Sequence, residues 1–112
     1  MPTAAFVVLD ALPDSDTSKA VGAGYYRTYK EAYNAEASPF GANVYDALMI
    51  VVDAIKRAGT TDKAKVRDAI EATNGMVGLN GTFVMSAKDH NGLGMDSLRM
   101  VQVQGGRFVM AK

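Results

Sequence analysis

His90 is the only histidine in the 112 residues, and imidazole is the side chain best suited to acid–base or metal chemistry near neutral pH. It stands between Asp89 and Asn91, just before Gly92, in a run typical of a surface turn. One imidazole with neighbouring carboxylates binds metal weakly, because zinc sites take three or four ligands. With no cysteine in the chain, a nucleophile and base pair is also hard to assemble. We therefore predict no enzyme, no metal site and no cofactor.

Asp46 and Asp53 are the next candidates for acid–base chemistry. They are seven residues apart, so on one helix face they lie about 10 Å from each other. That separation exceeds the spacing of most paired carboxylates in catalysis. We predict that both lie on the solvated edge of a helix and that Asp53 pairs with Arg57, four residues later.

Gly75, Gly78 and Gly81 have a spacing that suggests a phosphate cradle. No Lys-Ser or Lys-Thr pair follows them, however, and they lead into a predicted strand instead of opening a helix. The sequence predicts a plain loop here.

Phe40 lies in the first turn of a predicted helix, directly after Ser38-Pro39. Ligand clefts of α/β proteins open at such element ends, so Phe40 is a candidate ligand-binding residue. Aromatic side chains are mostly buried, which makes core packing the other interpretation. From the residues alone both interpretations stay open.

The first elements predicted are a buried strand over Ala5–Leu9 and a helix over 18–35. The strand is a continuous apolar run closed by a turn cluster, and the helix has Thr17 or Ser18 as its cap. Tyrosines recur every four residues along this helix, which favours a core stripe over a cofactor site. They are Tyr25, Tyr29 and Tyr33. Gly22 and Gly24 predict that the first turns of this helix fray or pack close to another element.

A second helix begins after Ser38, which caps it, and ends near Ala58, with Gly59 as a left-handed cap. Its apolar residues cover more than one stripe, so it requires burial on most sides. The main stripe consists of Val44, Leu48, Val51, Ile55 and Ala58. Only one predicted strand precedes this helix, which leaves too little sheet to cover it.

A third helix is predicted from Thr60 or Thr61 to Thr73, followed by the glycine loop and a strand over 82–85. Two last strands, 98–104 and 107–110, flank Gly105-Gly106, which suits a type I′ or II′ hairpin. The predicted fold class is α/β, with three helices, a short N-terminal strand and C-terminal strands.

The composition excludes several classes of partner. Twelve basic and twelve acidic residues give a formal net charge of +0, so no long-range field favours nucleic acid or an anionic membrane. The strongest apolar run, 47–52, is far shorter than the roughly 20 residues of a membrane-spanning helix. The N-terminus has no basic region with a long apolar run, so we expect any export signal to lie upstream.

Several segments together resemble the C-terminal part of periplasmic solute-binding proteins of the branched-chain amino acid type, the receptors of ABC importers. The resemblance runs from about Phe6 to Val109 and is carried by the order and spacing of the segments. They are Ser38–Ala47, Asp53–Gly59, Val66–Ala72, Gly78–Phe83 and Asp89–Gly92.

The resemblance implies part of the type I binding-protein fold, in which two Rossmann-like lobes are joined by three crossovers. Residues 1–112 are then a single incomplete unit, the C-terminal third of a two-lobe protein. Residues 6–85 belong mainly to the N-terminal lobe and residues 90–112 to the other lobe. The strands that cover the apolar second helix lie outside these residues, so the chain on its own is expected to self-associate.

The function implied is a periplasmic receptor that delivers a small amino acid or aromatic acid to the membrane permease of an ABC importer. The resemblance favours Phe40 as a wall of the ligand cleft, whereas the groups that bind the ligand's charges come from segments absent here. Two alternatives stay open: an intracellular ligand-sensing module of the same fold, and a self-associating scaffold without ligand binding.

Overall fold

The computed structural model describes residues 1–111, apart from the Pro2 side chain. Lys112, in the predicted 90–112 part, lies outside the described residues. Three α-helices and five β-strands form within the described residues, which confirms the predicted α/β class. Their bounds are β1 Pro2–Ala4, α1 Thr17–Tyr33, α2 Pro39–Ala58, α3 Lys63–Glu71, β2 Asn74–Val77, β3 Thr82–Val84, β4 Leu98–Gln104 and β5 Arg107–Met110.

The strand predicted over Ala5–Leu9 is wrong, because the short N-terminal strand β1 ends one residue earlier. Ala5–Ala11 instead forms two 3₁₀ turns joined by a kink at Val8, and this stretch is called the 3₁₀ segment. Its buried side chains recur three residues apart, as Phe6 and Leu9 do, which matches the three-residue period of a 3₁₀ helix. A continuous apolar run does not distinguish between a strand and a buried helical turn.

Strands β1, β4 and β5 form an antiparallel sheet with β4 in the centre. The hairpin predicted around Gly105-Gly106 is confirmed, with φ of 56° and 75° at the two glycines. Positive φ at both positions is typical of a type I′ turn. This three-stranded sheet stands apart from the helices and contacts them largely through the 3₁₀ segment.

Strands β2 and β3 form a second, two-stranded antiparallel sheet. The strand predicted over 82–85 is confirmed over Thr82–Val84, but the loop predicted over 75–81 is partly wrong because β2 occupies its first half. Gly75, with φ of 82°, lies at an irregularity in the register between Asn74 and Met76. The remaining residues form a tight turn in which the Gly78 N–H donates to the carbonyl of Gly81 at 2.8 Å.

Helix α1 is close to its predicted bounds but is capped by Asp16, not by Thr17 or Ser18. The Asp16 carboxylate accepts the N–H of Ser18 at 3.0 Å, while Ser18 itself is buried. The predicted close approach occurs at Gly22, where a Cβ atom would lie 2.4 Å from Leu9 Cδ1.

Helix α2 begins and ends as predicted. The Ser38 hydroxyl accepts the Gly41 N–H at 3.2 Å, and Gly59 ends the helix with φ of 65°. Helix α3 is shorter than predicted because Asp62 caps it, accepting the Lys65 N–H at 3.0 Å.

One apolar core joins the 3₁₀ segment, α2, the 78–81 turn and β4. Its buried members are Ala5, Phe6, Val8, Leu9, Leu12, Ala42, Leu79 and Val101. Helix α2 buries the face that carries Ala42 and Ile50, while its other apolar face is open: Val44 is 70% exposed and Leu48 is 59% exposed. The sequence predicted too little sheet to cover this helix, and the described residues indeed leave one apolar face of α2 uncovered.

Candidate functional site

A groove of about 440 Å³ lies at the junction between the helices and the three-stranded sheet. The 3₁₀ segment supplies its floor, α1 and the α1–α2 linker supply one wall, and β5 supplies the other. Its lining includes Phe6, Leu9, Tyr26, Ala37, Pro39 and Phe108. Three aromatic rings in one concave surface suit an apolar or aromatic solute body. We call it the junction groove.

Phe40 follows Pro39, a residue of the junction groove, in the first turn of α2. Its side chain is 81% exposed, so core packing, one of the two interpretations from sequence, is wrong. The ring itself is not among the residues that line the groove. Phe40 thus lies beside the groove as a solvent-exposed aromatic, and ligand contact by Phe40 stays a prediction.

The tyrosine stripe of α1, predicted to lie in the core, lines an open groove in which neighbouring rings contact one another. Ring centroids are 6.0 Å apart for Tyr25 and Tyr29, and 4.8 Å apart for Tyr29 and Tyr33. Tyr45 of α2 meets Tyr25 at 4.9 Å. Burial, with smaller effects from the neighbouring tyrosines, raises the pKa of Tyr25 above its ordinary value of 10.0. Only the inner end is sheltered, because Tyr33 is exposed at the other end.

Asp46 is buried, which corrects the prediction that it lies on a solvated helix edge. Only 2% of the residue is exposed, and both carboxylate oxygens accept hydrogen bonds from the turn at 78–81. Oδ1 accepts the Leu79 N–H at 2.7 Å, and Oδ2 accepts the Asn80 N–H at 3.1 Å and the Asn80 Nδ2 at 2.9 Å. Asn80 Nδ2 also donates to Asn43 Oδ1 at 3.0 Å.

This network attaches the first half of α2 to the turn before β3. A Cβ atom on Gly78 would lie 2.7 Å from Asp46 Oδ1 and 2.7 Å from the Phe83 ring, so the close approach requires glycine. With both oxygens accepting N–H groups, Asp46 is arranged to hold the turn in place. A sequence signal for this burial existed: Ala42 and Ile50, four residues before and after Asp46, are apolar and share its face.

Asp53 does pair with Arg57, at 2.7 Å between carboxylate and guanidinium, as predicted. Arg57 also donates to the Thr73 hydroxyl at 3.1 Å, which links α2 to the end of α3.

His90 lies in an exposed loop, as predicted, with its Nε2 atom 3.0 Å from a carboxylate oxygen of Glu71. Within residues 1–111 no three histidine or acidic side chains come together where they could hold a metal ion. The same described residues contain no helix long and apolar enough to cross a membrane.

The chain thus combines an α/β fold with an aromatic groove between its helices and its three-stranded sheet. A family model described as "Periplasmic binding protein" matches residues 3–107. The chain belongs to the periplasmic binding protein family. A search of curated proteins found no match to the chain.

Several solved structures share the fold over almost the whole chain. An extracellular ligand-binding receptor from Rhodopseudomonas palustris HaA2 superposes with a TM-score of 0.88 at 26% identity, over 99% of this chain and 33% of its own. Another receptor of that description from the same organism gives 0.82 at 22% identity, over 100% and 34%. A leucine-binding protein from Thermotoga maritima MSB8 gives 0.72 at 24% identity, over 99% and 29%.

The chain therefore spans about a third of the length of the structures it matches. Its architecture is part of the type I periplasmic-binding fold, as the sequence resemblance implied. The family and these neighbours are described as binding proteins and receptors, not as enzymes.

Proposed function

We propose that this chain is the C-terminal third of a periplasmic solute receptor that delivers a small amino acid or aromatic acid to the membrane permease of an ABC importer. The family match supports the class of receptor, and the leucine-binding neighbour supports the class of solute. In this proposal residues 6–85 act mainly with one lobe and residues 90–112 with the other.

The observation that carries the proposal is the position of the junction groove. Its walls come from both proposed lobe segments, with Tyr26 and Pro39 on one side and Phe108 on the other. A solute bound there contacts both segments, which is how a cleft receptor couples binding to closure.

In this proposal the exposed ring of Phe40, which follows Pro39 of the groove, contacts the bound solute. Covering its exposed ring with an aliphatic or aromatic solute is worth about 1–3 kcal/mol. Micromolar binding requires about 8 kcal/mol, so the isolated chain is expected to bind solute only weakly. In the proposed receptor, the remaining free energy comes from segments outside these 112 residues.

The proposal is tested by backbone-amide NMR of the ¹⁵N-labelled chain titrated to millimolar leucine or benzoate. We expect saturable shifts at Tyr26, Phe40 and Phe108, because these residues surround the proposed contact surface. Phe40→Ala should weaken the response severalfold, since the exposed ring supplies apolar contact.

Tyr33→Ala is the matched control, because Tyr33 is an exposed aromatic of α1 that lines the groove of the tyrosine stripe and not the junction groove. It should leave the titration unchanged. An absence of saturable shifts with both solutes, or shifts confined to residues away from the junction groove, would contradict the proposal.

The open face of α2 favours a second candidate, a self-associating scaffold. Val44 and Leu48 are exposed on one side of the helix, and contiguous apolar patches often mark protein interfaces. In that function the α2 face takes part in binding another copy, and the junction groove binds no solute.

A further inference from the structure

One ion pair joins the helices to the three-stranded sheet. Asp16, the cap of α1, lies 2.5 Å from Arg99 of β4, measured between Oδ2 and Nη2. The two residues are 83 positions apart in the sequence. Their side chains are 9% and 19% exposed respectively, so solvent screens this pair less than a surface pair.

The other close contacts between basic and acidic side chains among residues 1–111 do not reach this sheet. They are Lys19–Asp14, Lys30–Glu36, Arg57–Asp53, Arg67–Asp68 and His90–Glu71. Covalently, the sheet is connected to the helical part by the 3₁₀ segment and by residues 85–97. The apolar contact between the two parts is not directional, so it constrains their relative angle less than a hydrogen-bonded ion pair does.

Other hydrogen bonds fix the position of each of the two side chains. The second carboxylate oxygen of Asp16 accepts the Ser18 N–H at 3.0 Å, so Oδ2 is free to face the sheet. The second terminal nitrogen of Arg99 donates to the carbonyls of Asp96 and Leu98. The pair therefore links the first turn of α1 rigidly to the start of β4.

Building on the proposed function, we propose that Asp16 and Arg99 form a latch that sets the angle between the helical part and the three-stranded sheet. The junction groove has Tyr26 and Pro39 on the helical side and Phe108 on the sheet side, so this angle sets the groove width. Both are positioning residues, since neither lines the groove. Neutralising either residue leaves the charge of its partner poorly solvated, which favours separation of the two parts.

The test measures the distance between the two parts directly, without a solute. Because the chain contains no cysteine, Ala64→Cys in α3 and Gln104→Cys at the end of β4 give two unique sites for spin labels. Electron–electron double resonance then yields the distance distribution between them. Asp16→Asn is the informative variant, because asparagine caps a helix as well as aspartate but removes the charge.

Asp14→Asn is the matched control, since Asp14 is an exposed aspartate two residues away that pairs only with Lys19. We expect Asp16→Asn and Arg99→Gln each to broaden the distribution about twofold or add a second maximum, as a two-state equilibrium does when one state loses a contact. The double variant should broaden the distribution less than either single variant, because it loses the pair without leaving an unpaired, poorly solvated charge.

Circular dichroism shows whether α1 is retained. If Asp16→Asn loses helix, Arg99→Gln decides the question, because it leaves the cap untouched. Distributions identical to that of the parent chain in folded variants would overturn the latch. Failure of the solute titration would instead contradict the proposed function and leave these distances unaffected, so the two failures are distinguishable.

Discussion

At the scale of single residues, Asp46 is the side chain whose surroundings differ most from expectation. A carboxylate in the middle of an apolar helix is costly to bury unless N–H groups meet it, and here three do. The helix thereby gains a fixed register against the 78–81 turn. The pair of Asp53 and Arg57, two turns further on, is partly exposed and has little comparable effect.

We predict that Asp46→Ala lowers the free energy of unfolding by about 3 kcal/mol, because it leaves the N–H groups of Leu79 and Asn80 buried without an acceptor. Asp53→Ala should cost about 0.5 kcal/mol, as expected for an exposed ion pair within a helix. Urea unfolding measures both variants. Equal losses would contradict the structural role assigned to Asp46.

At the scale of elements, α1 contains two glycines, one closely packed and one with open space around it. A Cβ at Gly22 would lie 2.4 Å from Leu9 Cδ1, whereas a Cβ at Gly24 would have nothing within 4 Å. Of the two glycines, only Gly22 therefore lies where the α1 backbone comes close to the 3₁₀ segment, and Gly24 only weakens the helix.

Gly24→Ala should raise the free energy of unfolding by about 0.5–1 kcal/mol, since alanine restricts the unfolded chain and fits the helix. Gly22→Ala should lower it by about 1–3 kcal/mol, because buried Leu9 must move. Thermal unfolding of the two variants side by side measures this difference. A similar effect of both substitutions would show that α1 does not pack against the 3₁₀ segment this closely.

At the scale of the whole molecule, the open face of α2 is the dominant feature. The matched structures are about three times as long as this chain. The exposed apolar face is therefore consistent with a helix that packs against further protein. In the isolated chain, covering this face with a second copy is favourable by about 25 cal/mol per Å² of apolar surface removed from water.

We expect sedimentation velocity to show concentration-dependent association of the 112-residue chain and Val44→Lys to reduce it to the 11.9 kDa monomer. A charge on this face must be desolvated when the face is covered, which opposes association. Val103→Lys is the control, because Val103 is an exposed valine on β4, away from α2. A parent chain that stays monomeric at all concentrations, or equal effects of both substitutions, would contradict association through α2.

The sequence by itself determined the features that depend on local backbone chemistry. Ser38 caps α2 with its own hydroxyl, Gly59 ends it with a positive φ, and Gly105-Gly106 close the hairpin. Each acts on residues within a few positions, so its effect can be read from spacing alone. The order of the three helices, the C-terminal hairpin and the shortage of sheet against α2 followed from the same local patterns, whereas β1 and β2 did not.

Only the tertiary structure decided which residues from distant segments of the chain contact one another. Asp46 meets a turn more than thirty residues away, and Asp16 meets Arg99 83 residues away. Apolar Ala5–Leu9 forms 3₁₀ turns that pack against α1, α2 and β5, although its composition suits a strand equally well. Burial and pairing of this kind depend on which distant segments the fold brings together. A short stretch of sequence does not contain that information.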